Sequence, residues 1–211
     1  SRMAFLESRG ERLDIDLSQP DSAIYFGRTR RHVEESEVDM QTFAIRSADR
    51  GRTWEQHPSI VSPPLGSPMT GMNKNGYPLV RMSDGLLLGV FYPAPSADPC
   101  LYGSGDNGLT WDYLSSIPGD RSGYGVTTYP CLIVAPNGTL QVYTVNIQGR
   151  LNALQVAESV DGYSWSGQRP IVRLGASPWL SRPIPEQSRS QMPDRVFYRS
   201  PWPLLLRDGR I

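Results

Sequence analysis

Along most of the chain, short runs that alternate apolar with polar positions, or are almost wholly apolar, are broken by glycine- and proline-bearing corners. Three of them, "MQTFAIRS" (Met40 to Ser47), "PCLYGS" (Pro99 to Ser104) and "LNALQVAES" (Leu151 to Ser159), each run into a turn and read as strands. The turns are near-copies of one another. "SADRGRTW" supplies Ser47, Asp49, Gly51, Thr53 and Trp54, and "SGDNGLTW" supplies Ser104, Asp106, Gly108, Thr110 and Trp111. A third copy, "SVDGYSW", is one residue shorter and supplies Ser159, Asp161, Gly162, Ser164 and Trp165. The tryptophans stand 57 and 54 residues apart, a period that belongs to repeat architectures. The residue types suit a tight corner. Asp accepts hydrogen bonds from backbone N–H groups a few residues on, Gly takes the positive φ, and Trp anchors the start of the return strand.

A second ladder keeps the same period. "YPLVRMSDGLLLGVFY", "YPCLIVAPNGTLQVYTV" and "WPLLLRDGRI" each run from an aromatic residue and a proline (Pro78, Pro130, Pro203) through an apolar strand, an Asp-Gly or Asn-Gly type turn and a second apolar strand. Each repeat therefore predicts four antiparallel strands in about 50 residues, the blade of a β-propeller. The expected fold is all-β, with blades over about 11–60, 77–118 and 129–173 and the start of a fourth at 202–211. The Pro- and Ser-rich stretch 174–201 reads as a long surface loop or as a linker.

Composition narrows the chemistry. The 21 basic residues balance the 21 acidic ones, which argues against a nucleic-acid partner, and no apolar run approaches the ~20 residues of a membrane-spanning helix. The opening residues lack the pattern of a secretory signal. Cys100 and Cys131 read as buried thiols rather than a disulfide. With two histidines in 211 residues there is little material for a metal centre or a His-activated nucleophile, and no cofactor is expected.

The Ser-x-Asp-x-Gly-x-Thr-Trp turn resembles the Asp-box, or BNR repeat, of the sialidase (neuraminidase) superfamily, whose members are six-bladed propellers. The likeness runs from about Ala23 to Ile211. It implies a partial six-bladed propeller and an exo-acting glycoside hydrolase that removes a terminal acidic sugar. In that family an arginine cluster grips the substrate carboxylate, an acid on a first-blade loop protonates the leaving group, and a Tyr paired with a Glu is the nucleophile. A planar guanidinium suits a carboxylate, and a neutral phenol avoids repulsion from it.

In "IYFGRTRRHVEESEVDMQTFAIRS", Arg30 is the nearest match to the family's arginine, with Arg28 and Arg31 as rivals, and Glu35 and Asp39 are candidates for the acid on the loop before the third strand. A solvated, self-pairing charged loop is the other reading of that stretch. Tyr129 matches the segment that carries the nucleophile, although the same aromatic-Pro opening at Tyr77 and Trp202 also fits a first-strand signature. Arg150 and Arg182 are further candidates for the carboxylate site. The family's opening Arg-Ile-Pro is replaced by "RLDI" (Arg12 to Ile15), which favours the alternative, a non-catalytic Asp-box propeller used as a binding or assembly subunit.

Three blades and a fraction leave two blade faces bare. The expected partners are therefore a glycan and the remainder of the ring, supplied by a longer polypeptide, a second copy or another protein. The family resemblance favours an extracellular or periplasmic setting.

Overall fold

The computed structural model describes residues 21–33, 37–65, 71–73, 79–94, 98–119, 126–148 and 151–173, together with Pro201 and Pro203. Among them there is no helix, and every strand pairing is antiparallel. The strands form three sheets in chain order. Sheet 1 holds β1 (Ala23–Val33), β2 (Glu37–Ser47) and β3 (Ser59–Val61), ordered β1-β2-β3. Sheet 2 holds β4 (Gly71–Asn73), β5 (Val80–Arg81), β6 (Leu87–Ala94), β7 (Cys100–Ser104) and β8 (Asp112–Ser116). Its order is β4-β6-β7-β8, with β5 also paired to β6, so the strand beside β6 comes in two pieces. Sheet 3 runs β9-β10-β11-β12 (Val126–Val134, Leu140–Gln148, Leu151–Ser159, Arg169–Arg173).

The sheets stack face to face, and the apolar run "LLGVFY" shows why. Side chains alternate across a strand, so one covered on both sides must be apolar at every position. In β6, Leu87 and Phe91 enter a core with Ala44 and Val61 of sheet 1, while Leu88 and Val90 enter a second core with Leu132, Leu140, Val142 and Ala157 of sheet 3. β7 splits the same way, Cys100 and Tyr102 to the first core and Leu101 to the second. Both cysteines are buried thiols outside any disulfide, as their sequence context predicts. Burial pushes the Cys100 thiol up to about 11 against a smaller opposing contribution from Ser116, so it is an inert core group.

The second ladder is a true repeat wherever it is described. Met82 N–H donates to Leu86 O and Gly85 N–H to Met82 O; Ala135 N–H donates to Thr139 O and Gly138 N–H to Ala135 O. Gly85 (φ 91°) and Gly138 (φ 84°) supply the left-handed residue that closes each corner. The third copy, at 202–211, lies outside the described residues apart from Pro203, as do Tyr77, Pro78 and the stretch 174–200.

One expectation changes. The tryptophans do not begin the return strands: β3 starts at Ser59 and β12 at Arg169, several residues after Trp54 and Trp165, and β8 starts one residue after Trp111. In the first two copies the indole N–H of Trp54 and Trp111 donates back to the carbonyls of Gly51 (3.0 Å) and Gly108 (3.2 Å), so these side chains belong to the corner.

Candidate functional site

Each of the three corners is closed by its own short side chains. Ser47 Oγ donates to Asp49 Oδ1 at 2.8 Å and accepts Gly51 N–H at 2.8 Å; Asp49 accepts Thr53 N–H at 2.8 Å and the Thr53 hydroxyl at 2.6 Å. Ser104, Asp106, Gly108 and Thr110 repeat every one of these bonds within 0.1 Å. In the third corner Ser159 donates to Asp161 and accepts Gly162 N–H, and Asp161 accepts the N–H groups of Tyr163 and Ser164. The residue missing from this copy is the one before glycine, where Arg50 and Asn107 take φ values of 61° and 57°.

Bonds from Thr53 and Ser47 hold Asp49 down to about 2. Burial pushes Asp106 up, but bonds from Thr110 and Ser104 outweigh it and leave its carboxyl lowered; bonds from Ser164 and Tyr163 N–H lower Asp161. These carboxylates and hydroxyls are committed to the backbone, so the corners are structural and none is a hydrolase dyad.

Each later corner also leans on the sheet before it. Arg46, fully buried in β2, is held by Glu55 through Nε (3.0 Å) and Nη2 (2.8 Å) and points Nη1 at the carbonyl of Asn107. Ser115 of β8 donates to Gly162 O at 2.6 Å and accepts the Trp165 indole N–H at 2.9 Å. Among the described residues, sheet 1 has no such neighbour on its other side. Trp54 is 37% exposed where Trp111 is 7%, and it meets Tyr25 edge-on at 6.0 Å.

The corners mark one end of the sheets, and the candidate residues lie toward the other. β1 and β2 meet at Val33↔Glu37, far from the corner at Ser47, with Arg28 opposite Thr42, Arg30 opposite Met40 and Arg31 opposite Asp39. Asp39 is thus a strand residue of β2 and not a loop residue as expected, because the hairpin keeps full register to Glu37 and the connection shrinks to 34–36. Glu35 and Arg150 lie outside the described residues, as do Arg182 and the side chains of Arg28, Arg30 and Asp39. β10 and β11 likewise meet at Gln148↔Leu151, at this same end of sheet 3.

Tyr129 is described in full. It sits inside β9 with φ 55°, where the register slips so that Tyr129 and Pro130 together face Thr144. That is a β-bulge whose left-handed position is ordinarily glycine, and a bulky residue there is strained by about 1–3 kcal/mol. The bulge turns the half-buried ring toward Tyr92 of β6, 6.4 Å away at an interplanar angle of 56°.

Beside this pair the seam between sheets 2 and 3 changes character. Past Leu140 and Val142, β10 continues on the same face with Thr144 and Asn146, both buried. Thr127, also buried, faces Asn146 across the strand pair and lies against Gly119, whose N–H donates to Asp98 Oδ1 at 2.9 Å. Thr144 donates to Gln168 at 3.0 Å, and the buried amide oxygen of Asn146 has no hydrogen-bond partner among the described residues. Tyr92, Thr127 and Asn146 carry no sequence motif, which is why the pattern of residues did not single them out. Among the described residues no group of three His, Cys, Asp or Glu side chains is placed to hold a metal ion.

No family model matches this sequence, and no curated protein does. Solved structures are similar in fold. A Dyadobacter fermentans protein of unknown function superposes with a TM-score of 0.57 at 17% identity, over 71% of this chain and 47% of that one. A Hadza microbial sialidase is similar at TM-score 0.47 and 25% identity (60% and 24% of the chains), and an α-L-arabinofuranosidase of Fusarium graminearum at 0.47 and 17% (72% and 46%). The chain spans less than half the length of each of these neighbours.

Proposed function

We propose that the chain is part of an Asp-box β-propeller glycoside hydrolase of the sialidase type, exo-acting on a terminal acidic sugar of a glycan. The observation that carries the reading is the corner itself. Its hydrogen bonds recur at successive stacked sheets, which is what blades fanned around one axis require. The three sheets then stand for three blades, and the two outer sheet faces for the places where further blades pack.

In this reading Arg30, together with Arg28 and Arg150, pairs with the substrate carboxylate, Asp39 or Glu35 gives a proton to the departing oxygen, and Tyr129 attacks the anomeric carbon. The placement of Arg30, Asp39 and Tyr129 away from the corners supports that division of labour. Hydrolysis of a 4-methylumbelliferyl sialoside tests it. The chain is expected to release the fluorophore and an Arg30→Ala/Asp39→Ala variant to lose that release; no release by the parent chain at any concentration defeats the enzymatic reading for this chain.

The second reading, a non-catalytic propeller acting as a binding or assembly subunit, draws support from the face of sheet 1 that carries Tyr25 (54% exposed) and Ile60 (38% exposed). The rest of a longer polypeptide, a second copy or another protein would cover that face.

A further inference from the structure

The turn between β9 and β10 carries an Asn-Gly bond, Asn137-Gly138, and the second corner carries another, Asn107-Gly108; a third, Asn75-Gly76, lies outside the described residues. Such a bond is chemically reactive because glycine has no Cβ to screen its backbone nitrogen from the preceding carboxamide. The two described copies are held very differently. Gly108 N–H is buried and donates to Ser104 Oγ at 2.7 Å, Asn107 Oδ1 accepts Arg81 Nη2 at 3.1 Å, and Asn107 O accepts Arg46 Nη1 from sheet 1 at 3.5 Å. Freeing Asn107 therefore means opening the corner and its contact with sheet 1.

Asn137 and Gly138 are exposed, and nothing lies within 4 Å of a Cβ position on Gly138. Their bonds stay within residues 135–139: Gly138 N–H donates to Ala135 O at 2.8 Å, and Asn137 Oδ1 accepts Thr139 N–H at 3.1 Å. The second bond folds the carboxamide back along the chain, toward the Gly138 nitrogen. Local fraying of this turn releases both reacting groups while the two cores stay packed. The equivalent turn of sheet 2 shows what an aspartate does in this position. Asp84 stands there in place of Asn137, its Oδ1 accepts Leu86 N–H at 3.0 Å, and Gly85 N–H donates to Met82 O.

We propose that Asn137 is a site of spontaneous deamidation in the folded protein, and that the aspartate formed keeps the turn. The Gly138 nitrogen gives up its proton and bonds to Asn137 Cγ; the Cγ–Nδ2 bond breaks, and Nδ2 leaves with that proton as ammonia. Water then opens the resulting succinimide at either carbonyl, yielding aspartate or its β-linked isomer with no change of oxidation state. The α-linked product recreates the Asp84 pattern, whereas the β-linked one adds a methylene to the main chain of the turn. The modification goes beyond the hydrolase reading and does not rest on it.

The test is incubation of the full chain at mildly alkaline pH, native and in urea, followed by tryptic peptide mapping. Cleavage after Lys74, Arg81, Arg121 and Arg150 places the Asn-Gly bonds on separate peptides, 75–81, 82–121 and 122–150. In the native protein, conversion at Asn137 is expected to run roughly tenfold or more faster than at Asn107, the factor that a single hydrogen bond to a charged group contributes to holding Asn107 closed. In urea, where neither turn persists, the two rates should converge. Asn137→Asp should leave the urea midpoint unchanged, because Asp84 already serves the same turn in sheet 2.

The proposal is overturned if Asn137 stays unmodified in the native protein, or if fragmentation of the 122–150 peptide puts the change at Asn146 instead. It is equally overturned if Asn107 converts as fast as Asn137 in the native protein, or if Asn137→Asp lowers the midpoint.

Discussion

Replacing Gly108 by alanine tests whether the second corner rests on sheet 1. Its φ is +86°, so any side chain there incurs the left-handed penalty of about 1–2 kcal/mol. A Cβ would in addition stand 2.7 Å from Ile24 Cδ1, with Trp111 Cζ2 at 3.5 Å and Arg46 Cδ at 3.7 Å. Overpacking of that kind adds about 1–3 kcal/mol. Gly138 is the matched control, since its φ of +84° is almost the same but nothing lies within 4 Å of its Cβ position. Gly138→Ala should therefore cost about 1–2 kcal/mol and Gly108→Ala about 2–5 kcal/mol, read as shifts of the urea midpoint at constant m. Ile24→Val removes the offending Cδ1 at a cost of about 0.5–1.5 kcal/mol by itself. Combined with Gly108→Ala it should recover about 1 kcal/mol or more relative to additivity, and combined with Gly138→Ala it should add. Equal costs at the two glycines, or no coupling between 24 and 108, would refute the contact and with it the stacking of the first two sheets.

Two further outcomes follow from the ion pair and the corner carboxylates. Arg46→Met leaves Glu55, whose side chain is 3% exposed, charged and without its guanidinium, so it should cost about 3–5 kcal/mol, whereas Arg46→Met/Glu55→Leu should restore much of that loss; denaturation of the single and double variants decides it. Because Asp49 is lowered in the fold from 3.8 to about 2, its contribution is complete above pH 3.8 and is lost as pH falls toward 2; Asp49→Asn should flatten the acid limb of the stability profile in that window, and an unchanged limb would contradict the lowered value.

The corners were legible in the chain because every bond that closes them joins residues within five positions. Ser47, Asp49, Gly51 and Thr53 carry both the donors and the acceptors, so local order suffices to specify the turn and its period. The doubly buried strand "LLGVFY" was legible for a similar reason, since an unbroken apolar run has to be covered on both faces. The candidate site was less so. Asp39 reads as part of a charged loop, yet it is drawn into β2 by cross-strand pairing, an interaction with residues upstream that local charge does not report.

Tertiary structure alone decided which groups share the seam between sheets 2 and 3. Tyr92 and Tyr129 are 37 positions apart, and Thr127 and Asn146 belong to different strands; they meet only because two sheets stack and a bulge turns one ring. Arg46 and Asn107 are likewise brought together by stacking, and burial then makes an ordinary surface residue type the pin between a strand and the next corner. Short-range hydrogen bonding wrote the repeat into the order of the residues, while the meeting of distant groups waited on packing, where the gain comes from area removed from water and not from neighbours along the chain.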